Sequence, residues 1–397
     1  MLDKIKDINK LIPEDVVFIL SLFKESGFEC YLVGGCLRDY LLERTVKDFD
    51  FTTNAKPEQV EELFKEHKVI NDFKLFGSIK VVVNSSVYDI TTYRYNEEYG
   101  TKHQPISWSF SNSIHDDLSR RDFTINAFAY NMETFIDKFN GIDDLKSSLI
   151  RTVGDSSKRF IEDPIRILRA IRFSSVLDFT IENQTSKNAL KYSYLLKTQS
   201  KERINYELNE ILIGIGVRRV LFEYYPIFYD IAPCLKEVNL LENIGNLRND
   251  MSLEMKLLVL FKGLSLDTFK QELSLLKYPR KLIKNVALLY NYRESNIETV
   301  EDLQLSLRNV DYDVLRLLYY GEVLDFIDNL YQEVLKRNLV YRIDQLLIDG
   351  NDLATWGIRA NARSRVLNEL LVLVIKKQVA SDRNSLKQYI LDVYTKE

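Results

Sequence analysis

Apolar positions follow two regimes along the chain. Over the first third they switch between a helical period and strict alternation. Pro13-Glu14-Asp15 opens a segment whose Val16, Ile19, Leu20 and Phe23 share one helix face, and Gly27 ends it as a C-terminal cap. Tyr31-Leu32-Val33 is a short apolar strand stopped by Gly34-Gly35, and a helix over Leu37 to Leu42 follows. Asp48-Phe49-Asp50-Phe51-Thr52-Thr53 alternates as a strand does. Pro57 begins a helix through Val60, Leu63 and Phe64. Residues 79–83 and 87–93 predict a hairpin around Asn84-Ser85-Ser86. Tyr95 to His115 is polar, with Gly100, Pro105 and several serines, and reads as a mobile loop.

From about Asn140 onward the pattern is helical, as in Ile204, Leu208, Ile211 and Leu212, with almost no β-rich alternation. The expected fold is α+β: a compact head with a small mixed sheet, then an all-helical remainder. At 397 residues the chain predicts more than one packed unit. A net charge of −4 means that a nucleic-acid enzyme would have to gather its Lys and Arg on one face. Cys30, Cys36 and Cys234 have no paired spacing, and His67, His103 and His115 have no zinc pattern. Asp3, Lys4, Lys6 and Asp7 precede any long apolar run, so no signal peptide is expected. No stretch is apolar enough to span a bilayer. The expectation is a cytoplasmic protein with no membrane and no obligatory protein partner.

Candidate chemistry concentrates in the head. Two glycines between a strand and a helix, Gly34 and Gly35, let backbone N–H groups approach a phosphate, and Arg38 one turn later suits a triphosphate. Asp48 and Asp50, one residue apart on a predicted strand, leave the same face and suit Mg²⁺, a hard cation that shares oxygen ligands with substrate phosphates. Asp89 is the candidate third carboxylate. Taken singly, an Asp-x-Asp or a Gly-Gly is commonplace.

The combination is not commonplace. Gly34-Gly35-x-Leu37-Arg38-Asp39, Lys47-Asp48-Phe49-Asp50-Phe51-Thr52-Thr53 and Asp89-Ile90-Thr91-Thr92-Tyr93-Arg94 resemble the head of class II CCA-adding enzymes and bacterial poly(A) polymerases, in the DNA polymerase beta superfamily. Three further blocks match in order. Residues 117–127, with Arg121, Asp122 and Asn126, resemble the ribose-sensing motif. Residues 162–173, with Glu162, Asp163, Arg166 and Arg169, resemble the nucleotide-selecting motif, and Ser200 to Leu208 the helix that closes the conserved half. The resemblance implies two-metal nucleotide addition with Asp48, Asp50 and Asp89 as catalytic carboxylates, the first two binding metal. It also implies three parts: a nucleotidyltransferase head over 1–139, a nucleotide-selecting neck over 140–212, and a tRNA-binding body and tail over 213–397.

Base choice without a template has a physical basis. Cytosine and adenine each present an amino donor beside a ring-nitrogen acceptor, where guanine and uracil present a carbonyl. An Asp that accepts and an Arg that donates therefore pass C and A. By resemblance these are Asp163 and Arg166, with Glu162 orienting the arginine. The local alternative is a helix cap at Asp163 and an exposed i,i+4 pair between Glu162 and Arg166. For ribose, Asp122 and Asn126 lie four apart, and Arg121 suits phosphate or ribose. In the family a loop at 95–115 helps the switch from C to A. Here it has full length, which implies completion with A, but it carries no arginine.

In the helical half, Lys277, Arg280, Lys281 and Lys284 form a basic cluster fit for RNA phosphates. The alternative is a solvated helix face. Near the end, Ile348 to Leu353 and Trp356-Gly357-Ile358 resemble the tail that grips tRNA. Where the family continues with glycines and a proline, this chain has Arg359, Arg363 and Arg365. The expected partners are tRNA, CTP and ATP. Still open at this level are a poly(A) polymerase, a partial CC- or A-adding enzyme, and a silent RNA-binding relative.

Overall fold

The computed structural model describes residues 5–394 apart from 6, 11, 47, 100–104, 294 and 295. It divides into two compact units, Met1–Pro233 and Cys234–Glu397.

In the first unit, α1 (Glu14–Glu25) buries Val16, Ile19, Leu20 and Phe23, as their spacing predicts, and ends before Gly27 at φ 77°. Full burial of each such side chain stabilises by about 1.5–3 kcal/mol. Then come β1 (Cys30–Val33), α2 (Gly35–Leu41), β2 (Asp50–Thr53), α3 (Pro57–Leu63), β3 (Lys68–Ile70), β4 (Ser78–Val83) and β5 (Ser86–Thr92). The predicted hairpin is β4–β5. Its turn residues Asn84 and Ser85 sit at φ 46° and 73°, the left-handed pair of a type I′ turn. After β6 (Arg94–Tyr99), β7 (Pro105–Phe110) and α4 (Ile114–Ser119), two strands absent from the sequence reading, β8 (Phe128–Tyr130) and β9 (Phe135–Asp137), complete the sheet. Its order is β3-β4-β5-β2-β1-β8-β9, and only β2–β5 is parallel.

Two expectations need correction. Strand β2 begins at Asp50, so Asp48 lies in the connection before it and the two carboxylates do not share a strand face. The segment read as a loop is an antiparallel ribbon, with Arg94 opposite Phe110 and Tyr99 opposite Pro105. Apolar Ile106, Trp108 and Phe110 at alternate positions carried that signal, and the serines between them hid it. Its tip, 100–104, lies outside the described residues.

The helical run begins with α5 (Gly141–Lys146), α6 (Ser156–Glu162), α7 (Ile165–Leu177), α8 (Asn183–Tyr192), α9 (Lys201–Ile213) and α10 (Val217–Ile231). Side-chain caps start three of them: Asp155 accepts from Ser157 N–H, Glu182 from Thr185 N–H, and Ser200 from Arg203 N–H. Pro226 kinks α10, leaving Tyr224 outside helical geometry. The one strand element is a two-residue parallel pair, Leu149–Ile150 with Thr180–Ile181.

The second unit is helical among its described residues: α11 (Leu240–Gly245), α12 (Leu253–Leu260), α13 (Leu266–Leu275), α14 (Arg280–Tyr292), α15 (Val300–Leu307), α16 (Tyr312–Leu315), α17 (Gly321–Lys336), α18 (Gly350–Thr355), α19 (Ala360–Ile375) and α20 (Arg383–Tyr394). Leu353, Val366, Leu370, Leu371, Leu386 and Ile390 knit the last three together. The α+β head with a helical remainder is therefore the observed fold. No described helix is long and apolar enough to cross a membrane.

Candidate active site

Strand register gathers charged residues from distant parts of the chain. Asp50 is paired with Asp89 across β2–β5, Lys80 with Asp89 across β4–β5, and Val33, the residue before Gly34, with Asp50. Lys80, Asp89 and Asp50 thus form one row on one face, because residues paired directly across strands point the same way. The alternate residues Ile79, Val81 and Ile90 are buried behind it.

Asp50 keeps solvent access at the start of β2, yet the protein around it withdraws enough water to raise its carboxyl above the usual range. The charges of Asp89 and Asp48 raise it further, while Arg121 and Lys80 oppose them. Burial first, then the charge of Asp50, pushes the Cys36 thiol up to about 12, so Cys36 stays protonated as a packing residue. The Ser78 hydroxyl donates to Asp89 Oδ1. Among the described residues no three carboxylate, histidine or cysteine side chains are drawn together closely enough to hold a metal ion. The donor chemistry still fits a divalent cation: two oxygen ligands stand side by side, and their mutual repulsion is what an added positive charge would relieve.

Beside this row lies the glycine turn. Gly34 has φ 79°, and a Cβ there would stand 3.1 Å from Arg121 Nη1. Glycine therefore serves both the turn and the approach of the guanidinium. Arg121 Nη2 donates to buried Asp117 (3.1 Å), while its Nε is buried without a partner. Arg38, by contrast, is engaged within the protein: two nitrogens donate to Asp39 (2.9 Å each) and Nη1 to Asn126 (2.7 Å).

Asn126 continues this network to Asp122 (3.3 Å), and Arg169 donates to Asp122 from Nε (2.8 Å). Burial alone would raise the Asp122 carboxyl, but Arg169, helped by Arg166, overrides it and holds the group at about 2. Arg172 pairs with Glu207 at 2.7 Å. Three guanidinium groups, of Arg38, Arg169 and Arg172, lie 5.0, 5.6 and 4.3 Å from the centre of the Phe173 ring.

Glu162, Asp163 and Arg166 sit at the α6–α7 junction. Arg166 is held by Glu162 (2.9 Å) and by the carbonyl oxygens of Arg159 (3.2 Å) and Arg120 (3.1 Å). Glu162 also accepts from Arg159 (2.9 Å). Asp163 follows α6 as its C-terminal cap residue rather than opening α7, and Arg203 pairs with its Oδ2 at 2.9 Å. The other oxygen, Oδ1, is buried without a hydrogen-bond partner.

The remaining sequence-predicted residues lie in the second unit. Arg280, Lys281 and Lys284 are exposed on the first turns of α14, and Lys277 is exposed after α13 at φ 63°. No described carboxylate pairs with any of the four. Arg359 and Arg365 are exposed, with Glu369 3.9 Å from Arg365, whereas Arg363 is half-buried and donates to the Ile358 carbonyl (3.0 Å). Nothing in the sequence pointed to Lys80 or Ser78, and Arg203 and Glu207 stood out only as members of the Ser200 to Leu208 block; their partners arise from strand register and helix packing.

A glycine turn beside a carboxylate row on a mixed sheet, with a buried Asp–Arg pair at the helices that follow, is an arrangement that suits a nucleotidyltransferase. Residues 30–151 match the Poly A polymerase head domain family. A CCA-adding enzyme of Lactobacillus helveticus is 31% identical, over 98% of this chain and 99% of its own length. One of Oceanobacillus iheyensis is 31% identical over 94% and 96%. Among solved structures, the Bacillus stearothermophilus CCA-adding enzyme in complex with CTP superposes with a TM-score of 0.76 at 24% identity, covering 95% of this chain and 96% of that one. The Thermotoga maritima CCA-adding enzyme complexed with tRNA gives 0.66 at 21% identity, covering 96% of each. The chain belongs to the CCA-adding enzymes.

Proposed function

We propose that this nucleotidyltransferase completes the 3′ end of tRNA with C, C and A, taking CTP and ATP in turn without a nucleic-acid template, in the cytoplasm. The observation that carries this reading is the buried, partnerless Oδ1 of Asp163 beside Arg166, which is held on three contacts. An orphaned buried acceptor is costly, about 1–3 kcal/mol, and the amino group of a bound cytosine or adenine relieves it. Guanine or uracil would set a carbonyl oxygen against it instead.

Asp50 and Asp89, with Asp48 from the preceding connection, are the residues to hold Mg²⁺. When bound, Mg²⁺ supplies neutralising charge to the triphosphate and acidifies the RNA 3′-hydroxyl. Gly34 and Gly35 give the triphosphate close access to backbone, and the free Nε–H of Arg121 adds a charged donor. Asp122, Asn126 and Arg38 form a rigid floor for the ribose, fixed by Arg169. Lys277, Arg280, Lys281 and Lys284, with Arg359 and Arg365, contact tRNA phosphates.

The test is to incubate tRNA ending before CCA with each nucleoside triphosphate alone and with CTP plus ATP, and to sequence the products. CTP alone should give two additions and the mixture three, with GTP and UTP excluded. Arg166→Ala should lose roughly 10- to 100-fold of that discrimination. Runs of A from ATP alone would instead identify a poly(A) polymerase.

A further inference from the structure

The row of catalytic carboxylates has a third member that is not acidic. Lys80 is paired with Asp89 across β4–β5 as Asp89 is with Asp50 across β2–β5. It is close enough for its charge to be felt at Asp50. No hydrogen bond or ion pair joins its ammonium to a described residue. It stands instead over the ring of Phe73, 5.8 Å from the centroid. Nearby Lys74, by contrast, is neutralised by Glu61 (2.5 Å) and Glu58 (3.4 Å).

Phe73 belongs to an unusual run. Phe73, Leu75 and Phe76 are 51%, 82% and 47% exposed, three large apolar side chains within four residues of a surface turn. The Phe76 carbonyl accepts from Arg94 (3.0 Å), and the Phe110 ring packs on Gly77, so the turn is anchored to the β6–β7 ribbon. An exposed aromatic face beside an unpaired cation matches what single-stranded nucleic acid needs: a stacking platform and a counter-charge for phosphate.

Sheet order tells which substrate this is. The glycine turn that receives the triphosphate follows β1, on one side of Asp50. Lys80 and Phe73 lie beyond Asp89, on the other side. The triphosphate flank is thus already assigned, and the opposite flank is left to the acceptor strand.

We propose that Phe73 and Lys80 form the acceptor-end subsite: the terminal base of the RNA stacks on the open face of Phe73, and Lys80 holds the adjoining phosphodiester. This rests on the nucleotidyltransferase reading above. The test measures steady-state C addition to tRNA ending before CCA, with Phe73→Ala, Lys80→Ala, Phe73→Tyr and Lys80→Arg. Each alanine variant should raise KM for tRNA about tenfold, the size of one lost base stack or phosphate contact, with the melting temperature unchanged and, for Phe73→Ala, KM for CTP unchanged as well. Lys80→Ala should also flatten the slope of log KM against log salt by about 0.7. The Tyr and Arg variants should restore KM. Unchanged KM for tRNA in both alanine variants overturns the subsite, as does an equal rise in KM for CTP with Phe73→Ala. A wild-type enzyme that adds no C overturns the parent reading, and the subsite falls with it.

Discussion

Asp50 and Asp122 are both carboxylates of the first unit set among charged neighbours, yet their surroundings treat them oppositely. Burial and the like charges of Asp89 and Asp48 raise Asp50 above the usual range. Asp122 is more deeply buried, but Arg169 holds it at about 2. The first arrangement destabilises the fold locally and leaves a field that the proposed divalent cation and triphosphate would satisfy. The second satisfies itself, and so fixes the floor on which, in the function proposed, a nucleotide would rest. Chemistry is found where charge is left unbalanced, and alignment where it is balanced.

The contrast is broken most severely at the row. Asp50→Asn should lower kcat about 10³-fold or more, equivalent to about 4 kcal/mol of transition-state stabilisation. Its melting temperature should stay level or rise, since a carboxyl whose pKa is raised by folding opposes the fold whenever it is ionised. Added Mg²⁺ should raise the melting temperature of the wild type but not of this variant. A marked loss of stability in Asp50→Asn would show that the repulsion is not real.

Asp122→Asn should do the reverse, lowering unfolding free energy by about 3 kcal/mol, the low end for a broken buried pair because Arg169 is one-third exposed. The sign of the pH dependence follows from the depressed carboxyl. Its contribution is fully present above the unfolded value near 4 and disappears as pH falls through about 2. The stability gap between wild type and variant should therefore close across that window. A gap that does not vary with pH would mean that packing, not the ion pair, is being measured.

The smallest effect lies in the second unit, where charges are solvated. Replacing Arg359, Arg363 and Arg365 together by Ala should reduce the salt dependence of tRNA binding by roughly two units of slope rather than three, since Arg363 donates to the Ile358 carbonyl. A full three-unit loss would require Arg363 to leave that carbonyl for phosphate.

Much of this was legible in the sequence because it is locally encoded. The helix over Val16 to Phe23, the Asn84-Ser85 turn and the helix carrying Ile204 to Leu212 follow from spacing and turn chemistry within a dozen residues. The ordered motif blocks likewise fixed the fold class and the reaction. What escaped depends on partners far apart. Arg38 meets Asn126 88 residues away, and Arg169 meets Asp122 47 away, pairings that no local pattern announces. Lys80 gained a neighbour only through β4–β5 and β2–β5 register. Asp48 was misplaced because the alternation of Asp48 to Phe51 continues past the strand's true start, which ladder pairing decides.

Phe173 has a consequence for how this region can change over time. Arg38, Arg169 and Arg172 converge on its ring, and each has its own carboxylate: Asp39, Asp122 and Glu207. A single replacement of the ring would bring three cations into mutual view with nothing polarisable between them. Descendants of this sequence would therefore have to alter the aromatic and its cations as a set, which makes this small knot one of the slowest parts of the molecule to drift.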